Sequence, residues 1–479
     1  MVHHAGHREG DGQSPSLRSI PGEGGSRSRR LPAVPETIAA VATPPGFGGV
    51  GIIRISGPLA PDIAEGIIGL VPKPRLATFA SFCAGDGETI DQGIALFFPA
   101  PGSFTGEHVL ELQGHGGPVV QDLLLRRALE LGACPARPGE FSKRAFLNGK
   151  LDLCQAEAVA DLIESATEAA ARLASRSLQG ALSRRVGGLL ERLVCLRTFL
   201  EAAIDFPEEE IDFLADSQVC VDLQTLIGDV RTFLANSQQG RLIREGVTLV
   251  IAGPPNAGKS SLLNALAGAD VAIVTDIAGT TRDLVRQQVQ IEGMPLHIID
   301  TAGLRNAGDP IEQEGVRRAH EQIEQADHVL WIFDGESDPE NQGFDVSTLP
   351  DPVSVTFVRN KIDLIGIPPG VTKMPSGTEV AISARNGAGL DALREHLKAV
   401  CGFKGAGEGE LLARRRHLDA IERTLAHLQS ALEVLERTAA AELVAEDLRH
   451  AQRSLGEITG DYTSDDLLGR IFSSFCVGK

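Results

Sequence analysis

The spacing of apolar residues divides the chain into successive regions. Between Thr37 and Lys150, short apolar runs alternate with Gly and Pro turns: Thr37–Ala42, Gly51–Ser56, Gly93–Phe98 and Val109–Gln113, then a helical stretch, Val119–Leu131. That pattern predicts a small α+β domain. From Leu151 the period shifts to three and four, as in Leu189, Leu193, Leu196 and Leu200, which predicts long amphipathic helices. Val247 to about Val400 returns to alternating strands and helices. The tail to Gly456 is helical again, with Leu418, Ile421, Leu425, Leu428, Leu432 and Leu435 on one stripe. The simplest architecture is a helical domain in two chain segments, 151–245 and 403–479, interrupted by an inserted α/β domain over 246–402 and preceded by the α+β domain at 37–150. Insertion is tolerated where an exposed loop brings the chain ends together. Two independent helical bundles are the alternative.

Composition narrows the function classes. The 479 residues suffice for two to four domains, and no run of eighteen apolar residues predicts a membrane-spanning helix. With 45 Lys and Arg against 64 Asp and Glu, the net charge of -19 repels phosphate, so any nucleic acid must be met by a local patch or brought by a partner. Seven cysteines, at 83, 134, 154, 195, 220, 401 and 476, form no C-x-x-C pair and suggest free thiols in a reducing compartment. Residues 1–36 are rich in Gly, Ser, Pro, Arg and His and read as a disordered extension, without the apolar core of a secretory signal.

The chemistry concentrates in the second α/β region. Gly253-Pro-Pro-Asn-Ala-Gly258-Lys259-Ser260 fits G-x-x-x-x-G-K-[ST], with a buried-strand run, Val247–Ala252, before it and a helix opening at Ser261 after it. Such glycines let backbone N–H groups converge on phosphates; Lys259 neutralises the β and γ phosphates and the Ser260 hydroxyl suits magnesium. The downstream boxes choose the base. Strand-like Pro295–Ile299 ends in Asp300-Thr301-Ala302-Gly303, Val353–Val358 leads to Asn360-Lys361-Ile362-Asp363, and Glu379–Ile382 to Ser383-Ala384-Arg385. Asp363 can accept from the two donors on a guanine's Watson–Crick edge, so GTP is the expected nucleotide. Where Ras-like GTPases carry a water-orienting Gln, this chain has Leu304. Asn256 and the stretch Ile273–Asp283 offer an amide oxygen and backbone carbonyls, the donors of a monovalent-cation cradle; a capping residue and a switch loop are the plainer reading of the same positions.

Longer motifs then become recognisable. Thr43-Pro-Pro-Gly-Phe-Gly-Gly-Val-Gly51, Phe104–Gly117, Arg137-Pro-Gly-Glu-Phe141 with Arg144–Asn148, Asp276-Ile277-Ala278-Gly279-Thr280-Thr281-Arg-Asp283 and the terminal Cys476-Val-Gly-Lys479 resemble the MnmE (TrmE) tRNA-modification GTPases across Thr37–Lys479. The resemblance implies a folate-binding, dimerising α+β N-terminal domain, a discontinuous helical domain and an inserted Ras-like P-loop G domain. It also implies GTP hydrolysis that needs potassium. With a flavin-dependent partner, in a heterotetramer, such proteins place an aminomethyl-type group on carbon five of the wobble uridine of certain tRNAs, using a tetrahydrofolate one-carbon unit. A cytoplasmic homodimer with no membrane contact follows from the same likeness.

Site residues carry over position by position. Asn256, Thr275, Ile277 and Thr280 would hold potassium; Ser260 and Thr281 would hold magnesium. Glu312, twelve positions after Asp300, would orient the water. The nucleotide-binding set is Asn256, Ala257, Gly258, Lys259, Ser260, Ser261, Thr275–Thr281, Asp300–Gly303, Asn360, Lys361, Asp363 and Ser383–Arg385. Arg54, Glu111, Lys150 and Lys479 would hold the folate, a pterin offering donors for a carboxylate and its glutamate tail seeking Arg or Lys. Cys476 is a candidate catalytic thiol, with a buried structural thiol as the alternative.

Some features are set aside. Gly46-Phe-Gly48-Gly-Val-Gly51 satisfies G-x-G-x-x-G, but no strand is expected before it and a strand-like run follows where a helix should begin. The acidic run Asp205–Asp212 reads as a solvated loop. Lys143, Arg144, Arg184, Arg185 and Arg414–Arg416 are possible tRNA contacts that charged, solvated helix faces explain as well. The rival function is an Era- or Der-type GTPase switch in ribosome assembly, which shares the G-domain boxes.

Overall fold

The computed structural model describes residues 36–205, 217–267, 286–300, 326–339, 341, 354–375, 377–405, 407, 410–438, 440–462 and 464–478. The extension at 1–35, most of the acidic run and the stretches 268–285 and 301–325 lie outside them.

The first sheet has six strands, β1 (Ile38–Val41), β2 (Gly48–Ser56), β3 (Thr78–Cys83), β4 (Thr89–Phe98), β5 (Val109–Gly116) and β6 (Cys134–Pro135), in the order β3-β4-β5-β2-β1-β6. Only β1 and β6 run parallel. Along β2, Ile53 and Ile55 are buried while Arg54 between them points to the opposite face, as period-two alternation requires. Helix Ala60–Ile68 buries Ala60, Ile63, Ala64 and Ile67, one helical stripe, and stops at Gly69 in the left-handed region. With helix Pro118–Glu130 it covers one face of the sheet.

The glycine-rich decoy is a strand element, and one expectation about it is corrected. A strand, β1, does precede it, ending at Val41, and the glycines run straight into β2. A side chain at Gly116 on β5 would collide with the Gly48 carbonyl. Close strand pairing, not phosphate, accounts for glycine there.

The second sheet has seven strands: β7 (Val247–Ala252), β8 (Arg286–Ile291), β9 (Met294–Asp300), β10 (His328–Asp334), β11 (Ser354–Asn360), β12 (Gly370–Met374) and β13 (Gly377–Ala381). The order is β12-β13-β11-β10-β7-β9-β8, parallel except for the β8–β9 and β12–β13 hairpins. Buried runs such as Val247–Ala252 and His328–Asp334 fit strands covered on both faces.

Between and beyond the sheets lie helices Glu140–Leu147, Leu153–Glu164, Glu168–Leu178, Ala181–Asp205 and Ser217–Glu245, then Arg415–Thr438, Ala441–Gly456 and Asp465–Ser473. Leu189, Leu193, Leu196 and Leu200 are buried and share one core with Leu223, Val230, Ile421, Leu428, Val444 and Leu448. Helices from before and after the seven-stranded sheet therefore fold together, which two separate bundles would not do. Among the described residues no helix is long and apolar enough to cross a membrane.

Candidate nucleotide site

The phosphate loop leaves β7 and enters helix Lys259–Ala267 without a gap. A side chain at Gly253, whose φ is 149°, would run into the Ile332 carbonyl, and one at Gly258 into the amide of Asn360. Asn256 occupies the left-handed region at the exposed tip of the loop, with φ 61°. The Lys259 ammonium donates to the carbonyls of Gly253, at 2.9 Å, and Pro254, at 2.8 Å. Ser260 and Ser261 are exposed at the helix N-terminus, where the dipole favours an anion.

The base boxes converge on that loop. Asn360, buried at the end of β11, donates from Nδ2 to the Ala257 carbonyl at 2.8 Å and accepts the Ala384 N–H on Oδ1 at 3.0 Å. One side chain thus joins the phosphate loop to the 383–385 loop. Lys361, left-handed at φ 63°, reaches back to Asp334 at 2.7 Å. Burial pushes the Asp334 carboxyl up, but the hydrogen bonds from Lys361, the Glu336 N–H and Ser337, together with the Lys361 charge, hold it below the usual carboxylate range. Asp363 is exposed on the short helix Ile362–Ile365, free to face a base. Ser383 is buried and its Oγ accepts the Asn386 N–H at 3.4 Å, while Arg385 is exposed. Sequence reasoning missed Asp334 and the Arg359–Glu379 pair that braces β11 against β13. The Asp-x-x that closes a buried strand run at 334 was the available signal for the first.

The remaining predicted nucleotide and metal residues, Thr275, Asp276, Ile277, Ala278, Gly279, Thr280, Thr281, Thr301, Ala302, Gly303 and Glu312, lie outside the described residues. Asp300 is described only through its backbone, which ends β9 beside Ile251 of β7.

A second cluster forms on the first sheet. Arg54 and Glu111 are register partners on β2 and β5, and their side chains meet at 2.9 Å. The Arg54 guanidinium also donates to the Gly478 carbonyl at 3.2 Å and lies 6.0 Å from the Phe104 ring centre. The chain's tail is thus brought to this face: the Cys476 carbonyl accepts the Gly139 N–H, and Gly478 packs so close to Val41 that it has no room for a side chain. Lys479 is outside the described residues. Lys150 is exposed and donates to the Pro101 carbonyl at 3.1 Å, on the loop that carries Phe104. The Cys476 residue is exposed, so the buried-thiol alternative does not hold.

The basic residues left open between tRNA contact and solvated helix faces divide. Arg144 is largely buried and pairs with Glu107 and Glu140. Arg414 and Arg416 bind Asp161 and Glu157 respectively. They are internal ion pairs because acids one turn apart on helix Leu153–Glu164 face them, a pairing that local sequence does not display. Arg415 is exposed.

Comparison with known proteins decides the lineage. The family model of the MnmE helical domain matches residues 153–476, and that of the GTP-binding protein TrmE N-terminus matches residues 37–150. The tRNA modification GTPase MnmE of Vibrio cholerae is 57% identical over 450 residues, 93% of this chain and 99% of that protein. The chain belongs to the MnmE family. The MnmE of Photobacterium profundum is 56% identical over 450 residues, again 93% of this chain and 99% of the relative. Among solved structures, an Era variant from Aquifex aeolicus bound to GDP and aluminium fluoride shares 26% identity, covering 38% of this chain and 66% of that one with a TM-score of 0.23. As an MnmE-family protein the chain carries the described motifs Gly253–Ser260, Asn360–Asp363 and Ser383–Arg385 at the carboxyl ends of parallel strands β7, β11 and β13, the place where open α/β sheets bind ligands.

Proposed function

We propose that this protein is a GTP hydrolase acting in tRNA modification. The observation that carries the reading is the Asn360 bridge between the phosphate loop and the 383–385 loop, with Asp363 exposed beside it in a chain of the MnmE family. In this reading Lys259 leaves the two loop carbonyls for the β and γ phosphates, the helix N-terminus adds its field, and Asp363 selects guanine by accepting from its two edge donors.

The finer chemistry rests on the family. Hydrolysis uses Asn256, Thr275, Ile277 and Thr280 for potassium, Ser260 and Thr281 for magnesium, and Glu312 for the water. Asn256 and Ser260 fit hard cations: each presents an oxygen donor at an exposed position of the loop. The cations would supply positive charge beside the phosphates. On the first sheet, Glu111, paired with Arg54, would accept from a pterin ring, Phe104 would offer an aromatic face, and Arg54, Lys150 and Lys479 would supply cations for a tetrahydrofolate's carboxylates. A homodimer joined in a heterotetramer to a flavin-dependent partner would then place an aminomethyl or carboxymethylaminomethyl group on carbon five of the wobble uridine, in the cytoplasm. Boundaries at 37–150, 151–245, 246–402 and 403–479 accompany this proposal.

GTP hydrolysis by the purified protein in matched potassium and sodium buffers, beside Asn256→Ala, tests it. Activation by potassium alone, lost in the variant, is the expected result. Equal rates in both salts would remove the potassium site, and no hydrolysis in either would remove the GTPase.

A further inference from the structure

The seven-stranded sheet is tied to the helices at the point where the chain enters and leaves it. Helix Ser217–Glu245 leads in through Gly246, and the segment after Phe403 leads out to helix Arg415–Thr438. These two crossings run side by side. A side chain at Gly240 would overlap the Leu411 carbonyl, and Gln239 bonds the Gly402 carbonyl and the Lys404 N–H at 2.7 and 2.9 Å.

One buried carboxylate grips both. Asp161 Oδ1 accepts from Arg244 Nε on the entry arm and from Arg414 Nη2 on the exit arm, each at 2.7 Å. One turn earlier on the same helix, Glu157 accepts from Arg416 at 3.1 and 2.8 Å and from His417 at 2.9 Å. Helix Leu153–Glu164 therefore holds the entrance and exit as a single unit.

The next helix touches the sheet where nucleotide state would be felt. β8 begins just after the 273–283 segment and β9 ends at Asp300, so the β8–β9 hairpin joins two of the nucleotide boxes. Its turn abuts helix Glu168–Leu178: the Thr167 hydroxyl donates to the Gly293 carbonyl at 3.4 Å, and a side chain at Gly293 would press on Ala169. Ala170, Leu173 and Ala174 of that helix are part of the sheet's own core. A cavity of about 540 Å³, lined by Ala169, Arg172, Gln290 and Gly293, leaves room at the contact for the turn to shift.

We propose that Asp161 is a positioning residue that couples the nucleotide site to the helices. With both crossings clamped, displacement of the β8–β9 turn is delivered to helices Leu153–Glu164 and Glu168–Leu178. With the clamp open, the same displacement is absorbed by the crossings. The inference rests on the GTPase reading above, since it requires a guanine nucleotide to move the hairpin.

Hydrogen exchange on the full chain, with GDP and with a non-hydrolysable GTP analogue, tests it alongside titration of a fluorescent guanine nucleotide. In the wild type, changing the nucleotide should alter exchange over 153–178 by fivefold or more. Asp161→Asn should bind both nucleotides within twofold of the wild type, while that difference shrinks below twofold; Asp161→Glu should restore part of it. Arg244→Gln serves the same purpose if Asp161→Asn does not fold. A wild type with no change over 153–178, or an Asp161→Asn that keeps the wild-type difference while raising exchange equally in both states, overturns the proposal. A wild type that binds no guanine nucleotide would instead sink the GTPase reading.

Discussion

Asn360→Ala separates a structural brace from a base contact. The substitution removes two hydrogen bonds and leaves the Ala257 carbonyl and the Ala384 N–H without that partner. Each such bond contributes about 1 kcal/mol net, and a buried group left unsatisfied costs about 1–3 kcal/mol, so a total loss of about 2–4 kcal/mol is expected. If the phosphate loop and the 383–385 loop must be held together before nucleotide binds, the same energy appears as an affinity loss of about 30-fold or more. Chemical unfolding without ligand, followed by GDP and GTP titration, reads both quantities. Asp363→Ala is the control, because Asp363 is exposed: guanine affinity should fall with the ligand-free unfolding midpoint unmoved. An Asn360→Ala chain that unfolds like the wild type yet binds weakly would refute the brace and leave Asn360 only a contact to the base.

Further outcomes follow from buried charge and from the tail. Glu157→Gln leaves Arg416 facing a neutral amide in a buried site and should cost about 3–5 kcal/mol in urea unfolding; a loss below 1 kcal/mol would mean the pair is effectively solvated. Burial lowers His328 to about 4, with His396 adding to the effect, and lowers His417, whose Nδ1 accepts the Arg414 N–H and so leaves Nε2–H to donate to Glu157. The unfolded chain binds these protons first, so stability should be full above about pH 6.5 and fall toward pH 4, by about 3 kcal/mol for His328 alone. His328→Gln should flatten that slope in pH-dependent unfolding. Gly478→Ala would force a side chain onto Val41, releasing the tail from Arg54; tetrahydrofolate binding should weaken at least tenfold with GDP affinity unchanged, and equal folate binding would detach the tail from that site.

What could be read beforehand was mostly local. The phosphate loop and base boxes are contiguous strings whose geometry follows from their own glycines and flanking strands, and Asn360, Lys361 and Ser383 stand where those strings put them. Their partners are not local: Asp334 lies 27 positions before Lys361, and Ala257 lies 103 before Asn360. The first sheet shows the same division. β2 and β5 announce themselves by alternation, whereas β3, with its mixed Thr78–Cys83 run, and helix Ala60–Ile68, opened by a proline, did not. Arg414 and Arg416 looked like surface charge because the acids that neutralise them, Asp161 and Glu157, are some 250 positions away.

On the proposed reading, the Lys259 ammonium would make nucleotide entry an exchange of ligands. Two carbonyls of the loop already solvate it, so a newcomer must offer more than they do before the lysine turns outward. A lone hydroxyl or a single distal phosphate offers little, and a polyphosphate chain lying along the loop offers several anionic oxygens at once. If the loop binds nucleotide as proposed, it would count phosphates: guanosine and its monophosphate would meet a lysine occupied at home, while the diphosphate and triphosphate could win it away.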